Sequence, residues 1–167
     1  MSSSSNLQGS KPQSKMIIGD KFGQVHLLDV SRKLVLDKKE VPKYKGKRII
    51  NISTACIEWV DTKLIYAAVV ARASPIVSIF VFKNNDNKIH HLYSANVCPE
   101  IENPDNLENN EGQTYGQLPS EANLSMDCEF LSVTSFDGTI KIIKMPAIID
   151  PIQNDHTETP NPTGTIS

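Results

Sequence analysis

Three segments of this chain superimpose without gaps, and their shared pattern restricts the fold more than any other feature of the sequence. The segments are residues 23–30, 75–82 and 138–145. In each, a turn residue precedes a strand whose second, fourth, fifth and seventh positions are apolar. A strand that is buried on one face only alternates strictly between apolar and polar residues. Apolar side chains on both faces therefore predict burial between two layers, as in sheets stacked face to face.

The rest of residues 15–150 has a similar character, because its apolar residues form short runs rich in Val, Ile, Phe and Tyr instead of helical spacings. Each matched segment follows another such run across a short turn, so that a hairpin occurs three times. The predicted strands cover residues 16–19, 24–30, 34–37, 49–54, 56–60, 64–71, 76–82, 89–95, 124–128, 130–135 and 139–145. We therefore predict an all-β protein with units of four antiparallel strands, the pattern of a propeller blade.

Two of the matched segments carry a motif as well as a pattern. Residues 136–143 read FDGTIKII and residues 22–29 read FGQVHLLD. They resemble the WD-repeat β-propeller family, whose blades carry a turn of small residues followed by a strand of the form G-T-I-x-L-W-D. The chain departs from the family because it has no Trp-Asp pair, and its units lie 52 and 63 residues apart, against about 40 to 45 in that repeat.

The resemblance covers residues 16–145 and implies a partial propeller-like stack of about two and a half blades. A closed ring takes at least about four blades. Exposed strand edges invite aggregation, so we expect further chain or another subunit to complete the propeller. The resemblance also implies a non-catalytic protein–protein interaction scaffold within a larger assembly, such as a ciliary or other cytoskeletal structure or a vesicle-tethering coat.

The two ends of the chain differ in composition from its centre. Residues 1–14 are rich in Ser, and residues 151–167 contain three Pro among polar residues, so we predict a disordered leader and a disordered tail. The propeller segment occupies residues 15–150 and includes an acidic inserted loop at residues 98–124. No apolar run approaches the roughly 18 residues that a membrane span requires. We therefore expect a cytoplasmic protein with no membrane span.

Residues 31–48 form the most strongly charged segment, with eight basic and two acidic side chains. A basic loop of this kind suits an acidic protein surface, or alternatively a nucleic acid such as RNA. Tyr44 is its only aromatic residue, whereas nucleic-acid platforms use several stacking rings, and the whole chain has a net charge of -2. Protein partners are therefore favoured over nucleic acid, and the candidate contact residues are Lys43, Tyr44, Lys45, Lys47 and Arg48.

Evidence for catalysis is weak in this sequence. A metal-dependent enzyme is the remaining alternative, with zinc held by His90 and His91 together with Cys98 or Cys128. Neighbouring residues of a strand point to opposite faces, however, so both imidazoles cannot reach one ion without a kink. No Gly-x-Ser-x-Gly elbow or Gly-rich phosphate loop occurs. We expect no enzyme activity and no cofactor, and we expect the three cysteines to be buried reduced thiols.

Overall fold

The computed structural model describes residues 14–42, 45–59, 61–99, 101 and 113–146, and these residues form ten strands and one short helix. The predicted tail and all but the last residue of the predicted leader lie outside this part of the chain. The elements are β1 (Lys15–Gly19), β2 (Gln24–Asp29), β3 (Leu34–Glu40), β4 (Ile49–Trp59), β5 (Thr62–Ala71), β6 (Ile76–Lys83), β7 (His90–Asn96), α1 (Gln113–Gly116), β8 (Pro119–Leu124), β9 (Phe130–Ser135) and β10 (Ile140–Lys144).

The strands form three antiparallel sheets in which neighbours along the chain pair with each other. The first sheet has the order β1-β2-β3, the middle sheet β4-β5-β6-β7, and the third sheet β8-β9-β10. The predicted all-β class is thus confirmed, with almost no helix. The unit of four strands is present in the middle sheet, whereas the first and third sheets have three strands each in the described part of the chain.

Three predicted strands differ from the strands of the structure. The prediction of separate strands at residues 49–54 and 56–60 is wrong, because the ladder continues through Ala55, which pairs with Tyr66. The prediction of a strand at residues 124–128 is also wrong, since β8 ends at Leu124. There the chain turns, and Cys128 N donates to Ser125 O at 2.9 Å.

The middle sheet is buried on both of its faces. Side chains alternate along β5 and β6, so neighbouring residues reach opposite sides of the sheet. One face packs against the third sheet through Leu64, Tyr66, Ala68, Val70, Val77, Ile79 and Val81. The other face packs against the first sheet through Ala67, Val69, Ala71, Ile76, Phe80 and Phe82. The predicted burial between two layers is therefore confirmed for residues 75–82.

The first and third sheets each bury one face only. Val25 and Leu27 of β2 are buried against the middle sheet. Leu131 and Val133 of β9 are buried against its other side. The opposite faces of these two sheets carry large apolar side chains that are exposed. The prediction that the matched segments are buried on both faces is therefore wrong for the first and third sheets, because nothing in the described chain lies over their outer faces.

Candidate protein interaction surface

The strand order brings three separate parts of the chain to one end of the first and middle sheets. The turn between β1 and β2 contacts the loop after β3, since Gly46 N donates to Phe22 O at 3.0 Å. The turn after β5 contacts the same loop, since Arg72 N donates to Arg48 O at 2.8 Å. We call this surface the basic end, and it comprises Lys21, Phe22, Lys45, Lys47, Arg48 and Arg72.

The loop that carries most of the basic end is fixed where it leaves β3 and where it enters β4. Val41 is fully buried and its backbone N donates to Gly23 O at 2.9 Å. Ile49 N donates to Asp20 O at 3.0 Å. Both connections lead to the same turn between β1 and β2. The loop therefore sits on a hairpin of the first sheet with both of its ends held.

Asp20 organises that hairpin turn. Its Oδ1 accepts hydrogen bonds from Phe22 N at 2.8 Å and Gln24 N at 2.9 Å, and its Oδ2 lies 3.0 Å from His26 Nε2. Desolvation acts to raise the pKa of the Asp20 carboxyl, but the bonds from His26, Gln24 and Phe22 outweigh it and lower that pKa. Gly23 completes the turn at φ 83°, in the left-handed region that glycine tolerates. The Asp20 carboxylate thus bonds groups of its own turn and of β2.

The structure separates the five predicted contact residues into three groups. Lys45 and Arg48 are exposed at the basic end. Lys47 is half-buried, and its Nζ donates to Ala73 O at 3.1 Å, which ties the loop to the turn after β5. Lys43 and Tyr44 lie outside the described residues. Lys45 and Arg48 are therefore the predicted residues that the described surface presents to a partner.

The basic end also contains residues that the sequence analysis missed. Phe22 is 60% exposed, and the ammonium group of Lys21 lies 5.0 Å from the centroid of its ring. Arg72 is exposed in the turn after β5. The predicted strand order could have indicated this grouping, because a hairpin places the turn before β2 and the loop after β3 at the same end. The sequence separation between Lys21, Lys45 and Arg72 concealed that grouping.

The third sheet presents a different chemistry at its corresponding end. β8 runs parallel to β4, since Ala122 N donates to Asn51 Oδ1 at 3.2 Å and Leu124 N donates to Ser53 Oγ at 3.4 Å. The turn after β9 therefore lies on the same side as the basic end. There the ring of Phe136 stacks on Tyr115 at a centroid distance of 5.2 Å.

Asp137 lies next to that stacked pair, and its backbone N donates to Gly116 O at 2.7 Å. The pKa of its carboxyl is lowered, chiefly by the bond from Thr139 N at 2.9 Å. This surface is aromatic and acidic where the basic end is cationic. Within the predicted acidic loop, residues 100 and 102–112 lie outside the described chain.

The residues proposed for zinc binding have ordinary partners. His90 Nε2 lies 3.5 Å from Asp86 Oδ2, whereas His91 Nε2 lies 3.0 Å from Ser94 Oγ. Cys98 and Cys128 are buried, and the Cys98 thiol donates to Gln117 O at 3.1 Å. No group of three or more His, Cys, Asp or Glu residues in the described ranges is arranged to hold a metal ion.

The three cysteines are free thiols, as expected, but they are not all buried. Cys56 is exposed on β4, the edge strand of the middle sheet. The prediction of burial is therefore wrong for Cys56, because an edge strand has a neighbouring strand of its sheet on one side only.

Comparisons with known proteins assign no family to this chain. No protein-family model matches the sequence, and no curated protein matches it. The crystal structure of a mitotic checkpoint complex is similar over 83% of this chain, with a TM-score of 0.46 and 12% identical residues. The match covers 34% of that neighbour's chain, so this protein spans about a third of its length. None of the described helices has the length and apolar composition needed to cross a membrane.

Proposed function

We propose that this protein is a non-catalytic protein–protein interaction scaffold of the WD-repeat type, and that its basic end recognises an acidic segment of a partner. The stacked sheets supply a rigid frame, and recognition is carried by loops fixed on such a frame. The observation that carries the proposal is that backbone hydrogen bonds bring three turns to one end of the sheets, and these turns carry Lys21 beside the exposed ring of Phe22, then Lys45 with Arg48, and then Arg72.

The chemistry of the basic end favours a partner that is acidic and partly apolar. Complementary charge increases the association rate and the specificity of an interface, and aromatic and Arg side chains are enriched at interface centres. The Asp20 carboxylate, which would otherwise oppose an acidic ligand, already accepts hydrogen bonds from Phe22 N and Gln24 N and contacts His26. A segment of Glu and Asp residues around one apolar side chain matches these features.

RNA binding through the same cations is the second candidate function. It is favoured by the density of basic residues between residues 31 and 48. It is disfavoured by the aromatic content, because Phe22 is the aromatic residue of the basic end and base-stacking platforms use several rings.

The location and assembly of the protein belong to the same proposal. The resemblance to WD-repeat scaffolds supports a cytoplasmic protein in a cytoskeletal, ciliary or vesicle-tethering assembly. Open outer faces on the first and third sheets fit a protein whose propeller is completed by further chain or another subunit.

A binding experiment with defined probes tests the function. The full chain is titrated against a fluorescent peptide in which Glu and Asp alternate with Leu, and against a single-stranded RNA of equal charge. We expect the peptide to bind, and the triple variant Lys45→Glu, Arg48→Glu, Arg72→Glu to weaken that binding by about tenfold or more. Peptide binding that is absent, or unchanged in the triple variant, would contradict the proposal.

A matched control carries the same change in net charge at the opposite end of the sheets. Lys33 and Lys88 are exposed in the connections between strands at that end, and Lys63 is exposed near the start of β5 at the same end. The variant Lys33→Glu, Lys63→Glu, Lys88→Glu is expected to bind the peptide as the parent chain does. Tighter binding of the RNA, with an affinity that falls steeply with salt, would support the second candidate function instead.

A further inference from the structure

The outer face of the first sheet carries a cluster of apolar side chains. Residues paired directly across strands share a face, and Met16 pairs with Leu28, which in turn pairs with Val35. Ile18 lies on the same side two residues after Met16. Met16 is 49% exposed and Val35 is 59% exposed. The outer face of the first sheet is defined here by Met16, Ile18, Leu28 and Val35.

The outer face of the third sheet is apolar along its edge strand. Ile140 and Ile142 lie two residues apart on β10 and are 64% and 72% exposed. Their pairing partners on β9 are Thr134 and Ser132, and Phe130 of β9 is exposed on the same side. The outer face of the third sheet is defined here by Phe130, Ile140 and Ile142.

The gap-free match between the three segments shows which kind of neighbour the third sheet lacks. Ile140 corresponds to Val25 in the first sheet and to Val77 in the middle sheet. Val25 and Val77 are both fully buried. Val25 packs on the middle sheet and Val77 on the third, so each contacts the sheet that follows its own along the chain. The outer face of the third sheet is therefore the one that would contact a following sheet.

The same comparison gives the opposite assignment for the first sheet. Leu28 corresponds to Phe80 and Ile143. Phe80 packs on the first sheet and Ile143 on the middle sheet, so each contacts the sheet that precedes its own. The outer face of the first sheet is therefore the one that would contact a preceding sheet. The outer face of the third sheet and the outer face of the first sheet are therefore complementary. The same type of sheet-to-sheet contact occurs twice within this chain, between the first and middle sheets and between the middle and third sheets.

We propose that a second copy of this chain covers both outer faces, with the third sheet of each copy packed on the first sheet of the other. Head-to-tail contacts form a closed ring when the rotation between subunits closes. Two copies bring six sheets, within the range of about four to eight blades in known propellers. This proposal rests on the part of the proposed function in which another subunit completes the propeller. It does not depend on peptide recognition at the basic end, because the surface involved is separate from that end.

The charges on the two outer faces permit this contact. Lys38 and Glu40 lie on the outer face of the first sheet, because they pair with His26 and Gln24. On the third sheet, Glu121 and Lys144 pair with Thr134 and Phe130. Each face thus carries charges of both signs, and the Asp20 carboxylate beside His26 adds one further negative charge next to the first-sheet face. Apolar contact between the faces is not opposed by net repulsion.

Light scattering and sedimentation velocity of the full chain test the proposal. We expect a dimer, with a mass twice that of the chain. The variant Ile140→Lys, Ile142→Lys and the variant Met16→Lys, Val35→Lys each remove one outer face, so each alone is expected to be monomeric. All four positions are exposed in the single chain, so circular dichroism is expected to show folded protein in both variants.

Mixing the two variants tests the head-to-tail arrangement specifically. One variant retains the first-sheet face and the other retains the third-sheet face, so the mixture is expected to form a heterodimer through one intact contact. The conservative variant Ile140→Val, Ile142→Val is expected to remain dimeric.

Three outcomes would overturn the proposal: a monomeric parent chain, a mixture that forms no heterodimer, or a mass that keeps rising with concentration. A monomeric parent chain would also indicate that any cover for these faces comes from other chain segments or subunits. Peptide binding at the basic end is measured separately on the monomeric variants, so the two proposals fail or succeed independently.

Discussion

The middle sheet and the two sheets beside it share a sequence pattern but differ in burial. Phe80, at the centre of the middle sheet, is fully buried, whereas Ile142 of the third sheet is largely exposed. Both belong to segments with the same apolar spacing. The difference teaches that apolar residues on both faces of a strand indicate a strand that can pack between two layers. Whether both layers are present depends on position within the stack.

The largest expected effect comes from truncating the middle sheet. Phe80→Ala removes a fully buried ring and is expected to lower the free energy of unfolding by about 3–5 kcal/mol. Met126 is 91% exposed in the turn after β8, so Met126→Ala is expected to change it by less than about 0.5 kcal/mol. Urea titration followed by circular dichroism measures both. Similar losses in the two variants would mean that the middle sheet is not the core.

A smaller effect is expected at the contact between the first and middle sheets. A Cβ added at Gly19 would lie 2.6 Å from Ile49 Cβ and closer still to Ile49 Cγ2. Gly19→Ala is therefore expected to cost about 2–3 kcal/mol through overpacking. Combining it with Ile49→Ala is expected to cost less than the sum of the two single changes, because Cγ2 and Cδ1 of Ile49 are removed and only its Cβ still opposes the added methyl group. Additive losses in urea titration would contradict this packing.

Asp37 connects the same two sheets by a hydrogen bond. Its Oδ2 accepts from Ile89 N at 2.8 Å, and the Ile89 residue is fully buried. Asp37→Ala leaves that N–H without its acceptor and is expected to cost about 1–2 kcal/mol. Asp37→Asn keeps an acceptor oxygen and is expected to cost less. Equal melting temperatures for the two variants would show that this bond does not hold the sheets together.

Chemical labelling perturbs the protein least. It distinguishes the exposed cysteine on the edge strand of the middle sheet from the two buried cysteines. Cys56 is exposed, whereas Cys98 and Cys128 are buried. Iodoacetamide at pH 8 is expected to modify Cys56 in the native chain and all three cysteines in urea, as read by mass spectrometry. Rapid native labelling of Cys128 would contradict its burial.

The Cys128 thiol also gives a pH dependence. Burial, with smaller contributions from Asp127 and Cys56, raises its pKa to about 11 from an ordinary value of 9.0. The unfolded chain therefore loses this proton first as pH rises. The stability that the thiol contributes is complete below pH 9.0 and is lost as pH rises from 9.0 towards 11. Cys128→Ala is expected to flatten this loss in urea titrations at the two ends of that range.

The fold was predictable from the sequence where the determining interactions are local. The hairpin that contains residues 75–82 was predicted correctly because apolar runs and turn residues are visible within a few positions. The start of β8 at Pro119 was not predicted, because Ser120, Glu121 and Asn123 have low strand propensity. That strand depends on its pairing with β9 and on hydrogen bonds to β4, such as that of Ala122 N to Asn51 Oδ1.

The candidate site was predictable to a similar extent. The basic loop containing Lys45 and Arg48 was evident from its charge. The contributions of Phe22 and Arg72 were not, since backbone hydrogen bonds between distant turns bring them to that loop. Such contacts depend on strand pairing, which composition and spacing do not report.

Amide hydrogen exchange of the full chain tests the central claim most directly, because that claim places the middle sheet between the other two. The amides of β5 and β6 are paired on both sides and lie under a layer on each face. They are expected to exchange only on global unfolding, whereas the edge strands β1 and β10 exchange through local opening. Exchange of β5 amides as fast as those of β1 and β10 would contradict the account.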